Sequence, residues 1–592
     1  MYPDDSQRSD CLNERRSLLP AMGLLLLAGI LVYLNAFSVP FLFDDQESVV
    51  ENPTIRRLWP VWAPLAPPRA AALTVSGRPV VNLTLALNYA VSGTGVVSYH
   101  AVNLLIHLLA GLTLFGVLRR TWRRTRLATA ATPLAFTVAL LWLLHPLQTE
   151  AVTYVVQRAE SLVGLFYLLT LYAFIRSVDE AGRPATGWQV LAVVACLLGM
   201  ASKEVMVSAP LAVLAYDRTF VAGTWREAWR RRWGLYLALA ATWLVLAWLV
   251  AGTASRGGSV GLAEITAWEY ALTQCRAIMH YLRLVLWPHP LVFDYGYDVT
   301  RHLNAVGFQA VALVLLLAAT VAAWRWRPAL GFVATCFFAL LAPSSSVVPV
   351  ATQTMAEHRM YLPLAAVLVL AVLGLHALLG RKGLILSVVL ALVLGGVTVE
   401  RNRDYASALG IWTDTATKLP SNPRAHFNRG SLLLVAGQFQ EAAAAFERSL
   451  ELEPRDAEAL NDLGRALTGL GRLPEAVTRF EQALQLAPSA DAEDNLGGVL
   501  ASLGRTNEAL VHFARAQQLE PDRAGTAFNA GLALARAGRI AEAVGHFAEA
   551  VRLQPDYADA HLALAQALAE TGRTQEAMTH QAEGRRLKAL HP

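Results

Sequence analysis

Residues 99–126 read YHAVNLLIHLLAGLTLFGVLRRTWRRTR. The apolar part, 99–118, has the length of one membrane crossing by an α-helix. It ends in five arginines, Arg119, Arg120, Arg123, Arg124 and Arg126. Short loops dense in Arg stay on the cytoplasmic side. The stretch therefore predicts a spanning helix with its His100 end outside and its Arg120 end inside. The N-terminus then lies inside and the long 39–97 loop outside.

The same pattern recurs on both sides. Apolar runs at 19–38, 129–145, 159–176, 234–252, 306–324, 329–347, 361–379 and 383–399, with two short passes in 188–217, predict eleven spans in all. The first run follows Arg15 and Arg16 without a small-residue cleavage site, which reads as a retained anchor. Residues 268–287 behave differently. Glu269, Thr273, Arg276, His280 and Arg283 form one polar stripe along a helix, the pattern of an amphipathic helix on the outer side. If that helix does not cross, Arg325, Arg327, Arg381 and Lys382 all fall inside, as the distribution of positive charge requires.

Composition agrees. The 592 residues are 55% hydrophobic and 16% charged, with a mean hydropathy of +0.39, which excludes an ordinary soluble enzyme. Of the 50 Lys and Arg residues, 46 are Arg, a bias that points to a GC-rich bacterial genome. Much of that Arg sits in short loops, so the net charge of +5 reads as membrane orientation, not a nucleic-acid surface. Cys11, Cys196, Cys275 and Cys336 have no metal-like spacing, and neither a disulfide framework nor a metal cluster is expected.

Beyond the apolar runs the chain repeats. Gly437, Gly471, Gly504, Gly538 and Gly572 are spaced 34, 33, 34 and 34, and each is followed four residues later by Glu-Ala. Pro420, Pro454, Pro488, Pro521 and Pro555 punctuate with the same period. A 34-residue helix-turn-helix period is the tetratricopeptide signature, and five such units predict a solenoid with a concave groove. The expected organisation is a cytoplasmic tail (1–18), a transmembrane domain (19–400), a linker (401–424) and repeats (425–592), an all-α chain throughout. The groove suits capture of a protein segment; a plain spacer or dimer module fits the same pattern. His512, His546 and His561 occupy different repeat positions and read as surface or packing residues.

Polar groups gather at the outer ends of the predicted spans. Asp44 and Asp45 follow the first run. His100, Asn103 and His107 share a helix face. Arg78, Glu150, Arg158, Lys203, Glu204, Arg276, Arg283, Glu357 and Arg359 fall in or beside outer turns. An ion placed in a span costs about 2.5–3.5 kcal/mol unless it faces a polar cavity or a partner. Structural ion pairs account for any one of these; a shared outer cavity accounts for the set. Guanidinium groups suit the phosphate of a lipid-linked donor, and a carboxylate suits deprotonation of a hydroxyl acceptor. No glycine loop for a nucleotide is present.

The ordered motifs are specific in combination: Phe43-Asp44-Asp45 with Glu51-Asn52-Pro53; Gly77-Arg78-Pro79 with Leu87-Asn88-Tyr89; Tyr99-His100-Ala101-Val102-Asn103 with His107; His145-Pro146 with Thr149-Glu150-Ala151-Val152; Ser202-Lys203-Glu204; and Glu357-His358-Arg359-Met360-Tyr361-Leu362-Pro363. In this order, ahead of tetratricopeptide repeats, they resemble the transmembrane-and-tetratricopeptide O-mannosyltransferases over nearly the whole chain. The resemblance implies a type-C glycosyltransferase fold with an outer-face active site. It implies a dolichyl- or polyprenyl-phosphate mannose donor and a protein Ser or Thr acceptor, with the repeat groove as the candidate holder of that acceptor. It assigns the acidic pair to Asp44 and Asp45, with Asp44 first as base and Glu150 beside them. Arg359, Arg276, Arg158, Lys203 and Arg283 become candidates for the donor phosphate. His100, Asn103, His107, Arg78, Glu204 and Glu357 become candidates to line the cavity. Beyond this donor substrate no cofactor is implied, and a divalent metal is not indicated. The expected location is a bacterial inner membrane with periplasmic repeats, or an ER membrane with lumenal ones. An outer-face oligosaccharide ligase or polymerase, and a membrane-anchored scaffold, are the competing readings.

Overall fold

The computed structural model describes residues 5–67, 74–252, 265–346 and 353–590, with side chains from Leu18 onward. The side chains of Cys11, Arg15 and Arg16 lie outside what is described. Among the described residues there are helices and turns and no strand. The chain divides into two units, residues 1–418 and 419–592.

Among the described residues of the first unit, eight helices are long and apolar enough to cross a membrane: Leu18–Ser38, Val96–Arg123, Val155–Asp179, Arg183–Met200, Glu204–Ala222, Trp225–Ala251, Gly307–Trp326 and Arg381–Asp404. Pro328–Leu341 and Pro363–Leu379 are apolar but shorter, and Ala128–Leu144 with Pro146–Thr153 forms one pair bent by 57°. Together these account for the eleven apolar runs. Gly307–Trp326 buries no residue at all, and Phe308, Val311 and Val321 on it are exposed. So much contiguous apolar surface is untenable in water and suits lipid.

The bend has a local cause. Pro146 has no N–H to give and pushes the preceding residue out of the helical region. His145 accordingly sits at φ −72°, ψ 132°. Its ring replaces the lost helical bonds: Nδ1 accepts from the Leu147 N–H at 3.2 Å, and Nε2 lies 3.1 Å from the Val285 carbonyl.

The helices share two ends. At one, Arg120 donates to Asp179 (2.6 Å), Arg124 pairs with the same carboxylate, and Arg232 meets Asp217 (2.8 Å). At the other lie Asp44, Glu150, Lys203 and Glu357. The helix Ala267–Leu286 stays at this second end. Along its length Tyr270 donates to the Ser344 carbonyl, Gln274 to Thr354, and Tyr281 accepts from the Ala356 N–H. A capping box of Thr266 and Glu269 starts it. The helix that carries the polar stripe is thus bonded along its length to residues 344–356, and it is not among the helices apolar enough to cross a membrane.

The second unit has five helix pairs, from Pro423–Val435 with Phe439–Leu452 to Ala558–Glu570 with Thr574–Leu590. Each pair turns at a glycine with φ between 71° and 81°, where other residues are strained. A second glycine set lets the paired helices touch. A Cβ on Gly464, Gly497 or Gly531 would stand 2.6–2.7 Å from Phe480, Phe513 or Phe547. The stretch 401–424, expected as a linker, holds the end of the last long helix and the helix Ala408–Lys418.

Adjacent glycines give a direct test of this packing. Gly497→Ala drives a methyl into Phe513, whereas at Gly498 nothing lies within 4 Å. Gly497→Ala should destabilise the repeat unit by about 1–3 kcal/mol. Gly498→Ala should be neutral or stabilise by up to about 1 kcal/mol. Thermal melts of the two variants, followed by circular dichroism, measure the difference.

Candidate functional site

The site is built at the end of the bundle that carries Asp44, from the loop after the first helix and the bent segment 145–158. Phe43 adopts a positive φ of 36°, a strained conformation for a residue with a side chain. The two carboxylates that follow diverge. Asp45 is completely buried. Its Oδ2 accepts from the Leu42 N–H at 3.0 Å and its Oδ1 from the Val156 N–H at 2.8 Å. Burial pushes its pKa up to about 8, against the pull of those two N–H groups. Asp44 is half-buried. Its N–H donates to the Tyr154 hydroxyl at 2.8 Å, and its Oδ2 accepts from Thr74 at 3.0 Å. Burial, followed by the charges of Asp44 and Asp45, holds the Tyr154 phenol well above its usual range.

The loop below this pair is tied down by amides. Asn52 donates to the Ser48 carbonyl (3.0 Å) and to Asn82 (2.9 Å), and Asn82 donates to Thr54 (2.9 Å) and the Pro64 carbonyl (2.8 Å). Asn52-Pro53 and Gly77-Arg78-Pro79 thus set the loop on the helix Pro79–Ser92. Arg78 donates to the Thr74 carbonyl at 2.7 Å and stands 3.8 Å from Glu204.

A second group of charges is continuous and buried. Glu150 accepts the backbone N–H of His358 at 3.0 Å, and its other oxygen lies 2.6 Å from Nδ1 of the same residue. The far nitrogen of that ring lies 3.9 Å from Glu160, which accepts from Lys203 at 2.7 Å. Burial, then the Lys203 charge, holds His358 well below its usual pKa. Glu357 accepts from the Val292 N–H (2.5 Å) and the Tyr295 hydroxyl (2.8 Å), and burial raises its pKa to about 7.

Other predicted residues hold the frame. His100 bonds the Val39 carbonyl (2.8 Å), Asn103 donates to those of Val152 (3.2 Å) and Val155 (3.3 Å), and His107 bonds that of Leu143 (3.1 Å). Arg158 is completely buried and faces neutral acceptors: Asn103 (2.6 Å), Asn88 (2.6 Å) and the Tyr99 carbonyl (2.9 Å). Arg359 donates to the carbonyls of Ser344 (2.9 Å), Thr354 (3.2 Å) and Gln353. Arg276 pairs with Asp298 (2.7 Å), and the exposed Arg283 donates to the His289 carbonyl (2.6 Å). The five candidate phosphate-binding cations therefore all contact protein acceptors.

Glu160 and Tyr295 belong to the outer polar groups of the sequence but carry no assigned role there, and Tyr154 and Arg401 stand outside them. Tyr154 falls between two motif segments and carried no charge signal. Arg401 fell just past the expected end of the last span. In the repeat unit, Arg465, Asp494, Asn495, Asn529 and Arg536 line a groove of about 310 Å³.

Comparison with known proteins follows this division. A tetratricopeptide-repeat family model matches residues 396–457, 429–491, 461–524 and 528–589. Protein O-mannosyl-transferase TMTC1 of Homo sapiens is 27% identical, over 78% of this chain and 58% of its own length. TMTC1 of Mus musculus is 26% identical over 77% and 61%, and Protein O-mannosyl-transferase F38B6.6 of Caenorhabditis elegans 24% over 73% and 62%. The chain thus spans about three fifths of the length of these relatives. Among solved structures, YrrB, "a TPR protein with an unusual peptide-binding site", aligns with 30% of this chain and 93% of its own, at 25% identity and a TM-score of 0.26. The chain is similar over about three quarters of its length to proteins named protein O-mannosyl-transferases, and its C-terminal unit carries tetratricopeptide repeats.

Proposed function

We propose that this protein is a membrane glycosyltransferase that moves mannose from a polyprenyl- or dolichyl-phosphate carrier to a Ser or Thr hydroxyl of a protein. One observation carries the reading most. Asp44 is presented half-exposed, beside Tyr154, on a loop that its buried neighbour Asp45 holds rigidly. A strained backbone that displays one carboxylate while the next is locked inside is a typical investment at a reacting centre.

In this reading Asp44 is the base. It takes the proton from the acceptor hydroxyl as that oxygen attacks the anomeric carbon. The bond from that carbon to the phosphate oxygen breaks, and polyprenyl phosphate leaves with the electron pair. The phosphate is a competent leaving group without protonation, so it calls for cations and not for an acid. Asp45 does not act on the acceptor; it positions the loop. Glu150, His358, Glu160 and Lys203 form the buried polar floor beside it. The site faces away from the cytoplasm, since the opposite end carries the clusters of Arg120, Arg124 and Arg232. The repeat groove, with Asn495 and Asn529 on its wall, presents the acceptor protein.

Two neighbouring variants separate base from scaffold. Asp44→Asn should abolish mannose transfer from a polyprenyl-phosphate donor, by at least about a hundredfold, with an unchanged melting temperature. Asp45→Asn places an amide N–H2 against one of two backbone N–H donors and should lower stability by about 1–3 kcal/mol. Full activity of Asp44→Asn would remove it as the base.

Sidedness has its own test. A cysteine placed on an exposed repeat position, such as Glu475→Cys, should react with a membrane-impermeant maleimide on intact spheroplasts. Labelling only after lysis would reverse the assigned orientation.

A further inference from the structure

We propose that the oxyanion site at this end of the bundle is Arg401, whose Nε–Nη2 edge receives the phosphate of the lipid-linked donor. This rests on the transfer reaction proposed above. It names a residue that the motif-bearing segments do not include.

The starting point is what the other buried guanidinium groups do. Arg158 and Arg359 donate through both arms to amide, hydroxyl and carbonyl oxygens. Each is a complete structural clamp. Arg401 is as deeply placed, at 4% exposed, but is bonded on one arm only. Its Nη1 donates to Asp404 (2.8 Å) and Asp414 (2.9 Å). Its Nε and Nη2 are buried without a partner, and among the described residues no other guanidinium has two such nitrogens. Those two nitrogens form the edge of a guanidinium that meets phosphate with two parallel hydrogen bonds. The hydroxyl of Tyr405, itself buried and without a partner, belongs to the same corner; the guanidinium carbon lies 5.2 Å from that ring's centre.

The geometry explains why the edge is kept ready. Asp404 and Asp414 fix the far arm, and Lys418 in turn bonds both carboxylates, at 3.3 Å and 2.9 Å. The fork is therefore held in one orientation before any ligand arrives, which reduces the entropy lost on binding. Leaving buried donors unmade is costly, at more than the worth of an ordinary hydrogen bond each, so native structures retain them where something else is to be bound. The rings of Tyr405, Phe293 and Trp412 follow one another in edge contacts of 5.8 Å and 5.3 Å. Phe43, next to Asp44, touches Trp412 at 5.3 Å. Arg401 and Asp44 are thus joined by a short chain of aromatic contacts, with Trp412 on the helix Ala408–Lys418 as the middle link.

The test uses the full-length protein in detergent and a short-chain polyprenyl phosphate, the matching prenol and inorganic phosphate as probes, with affinity read by isothermal calorimetry. The wild type should bind the prenyl phosphate and not the prenol. Arg401→Lys keeps the charge and the pairs with Asp404 and Asp414 but has no fork. It should weaken prenyl-phosphate binding by about tenfold to a hundredfold. Tyr405→Phe removes one hydroxyl and should weaken it less. Arg403→Gln, which removes an exposed charge two residues away, should leave binding unchanged. Competition by inorganic phosphate at a concentration near the prenyl phosphate's own Kd would assign the site to free phosphate and overturn the lipid source. Wild-type affinity in a folded Arg401→Lys protein, or no phosphate binding by the wild type, would overturn the proposal. If Arg401→Lys binds like the wild type while mannose transfer persists, the site assignment fails alone. If binding is lost as expected but the wild type transfers no sugar from any prenyl-phosphate donor, the transfer reading fails and the phosphate site stands.

Discussion

Two backbone N–H groups aimed at one buried carboxylate decide the form of the site. The Leu42 and Val156 amides belong to segments more than a hundred residues apart in sequence, and the Asp45 carboxylate bonds both. A buried carboxylate is expensive unless its oxygens are bonded, and removal of either partner leaves the other exposed to that cost. The bent segment 145–158 must therefore sit where it does. Once it does, Tyr154 meets the Asp44 backbone, Glu150 meets His358, and Arg158 enters its cage of neutral acceptors. A second break, at Tyr154 (φ −81°, ψ 115°), frees the Val156 N–H, which lies in the first turn of the helical stretch that follows.

The same arrangement explains why polar residues that look alike in sequence do different things. His100, Asn103 and His107 lie on one helix face, a pattern that fits a wet cavity and a protein contact equally well, since either environment satisfies a polar side chain. The structure places them against backbone carbonyls freed by irregular segments. Irregular backbone at membrane depth needs such partners. The stripe is the price of the broken helix beside it. The polar stripe of residues 269–283 was easier to read, because its spacing alone shows a helix with two unlike faces.

The repeats were legible almost in full, since a 34-residue period is a property of local sequence and each unit touches only its neighbours. The spans were legible from hydropathy, although two of the apolar helices are shorter than a crossing requires by itself. The site was less legible. Sequence placed the charges at one end of the bundle but could not say which would be mutually satisfied. Arg158 and Arg359 resemble phosphate ligands by charge and position, and their engagement by carbonyls and amides depends on the tertiary fold. Arg401 presented the opposite problem. An arginine just past an apolar run ordinarily reaches out to the interface, and nothing in Arg401-Asn402-Arg403-Asp404 distinguishes the inward residue from the outward one. Helical geometry separates them: Arg401 and Asn402 face the protein, where Asn402 bonds Asn35, while Arg403 faces out.

That last turn of helix also ties the site together. Asn402 accepts from Thr153 at 2.7 Å and donates to Asn35 at 3.0 Å, so the end of the final long helix is bonded both to the bent segment and to the end of the first helix. These are the two segments that Asp45 joins a few residues further on. Arg401 is thus positioned by the same framework as Asp44, through a different set of hydrogen bonds. A base and a phosphate-binding cation must keep a fixed separation if one is to act on the acceptor while the other holds the leaving group. In the arrangement proposed above, that separation is set by two buried anchors, Asp45 and Asn402, and the part-buried Asp414. Sequence distance between Asp44 and Arg401 is therefore no obstacle to their acting on one molecule.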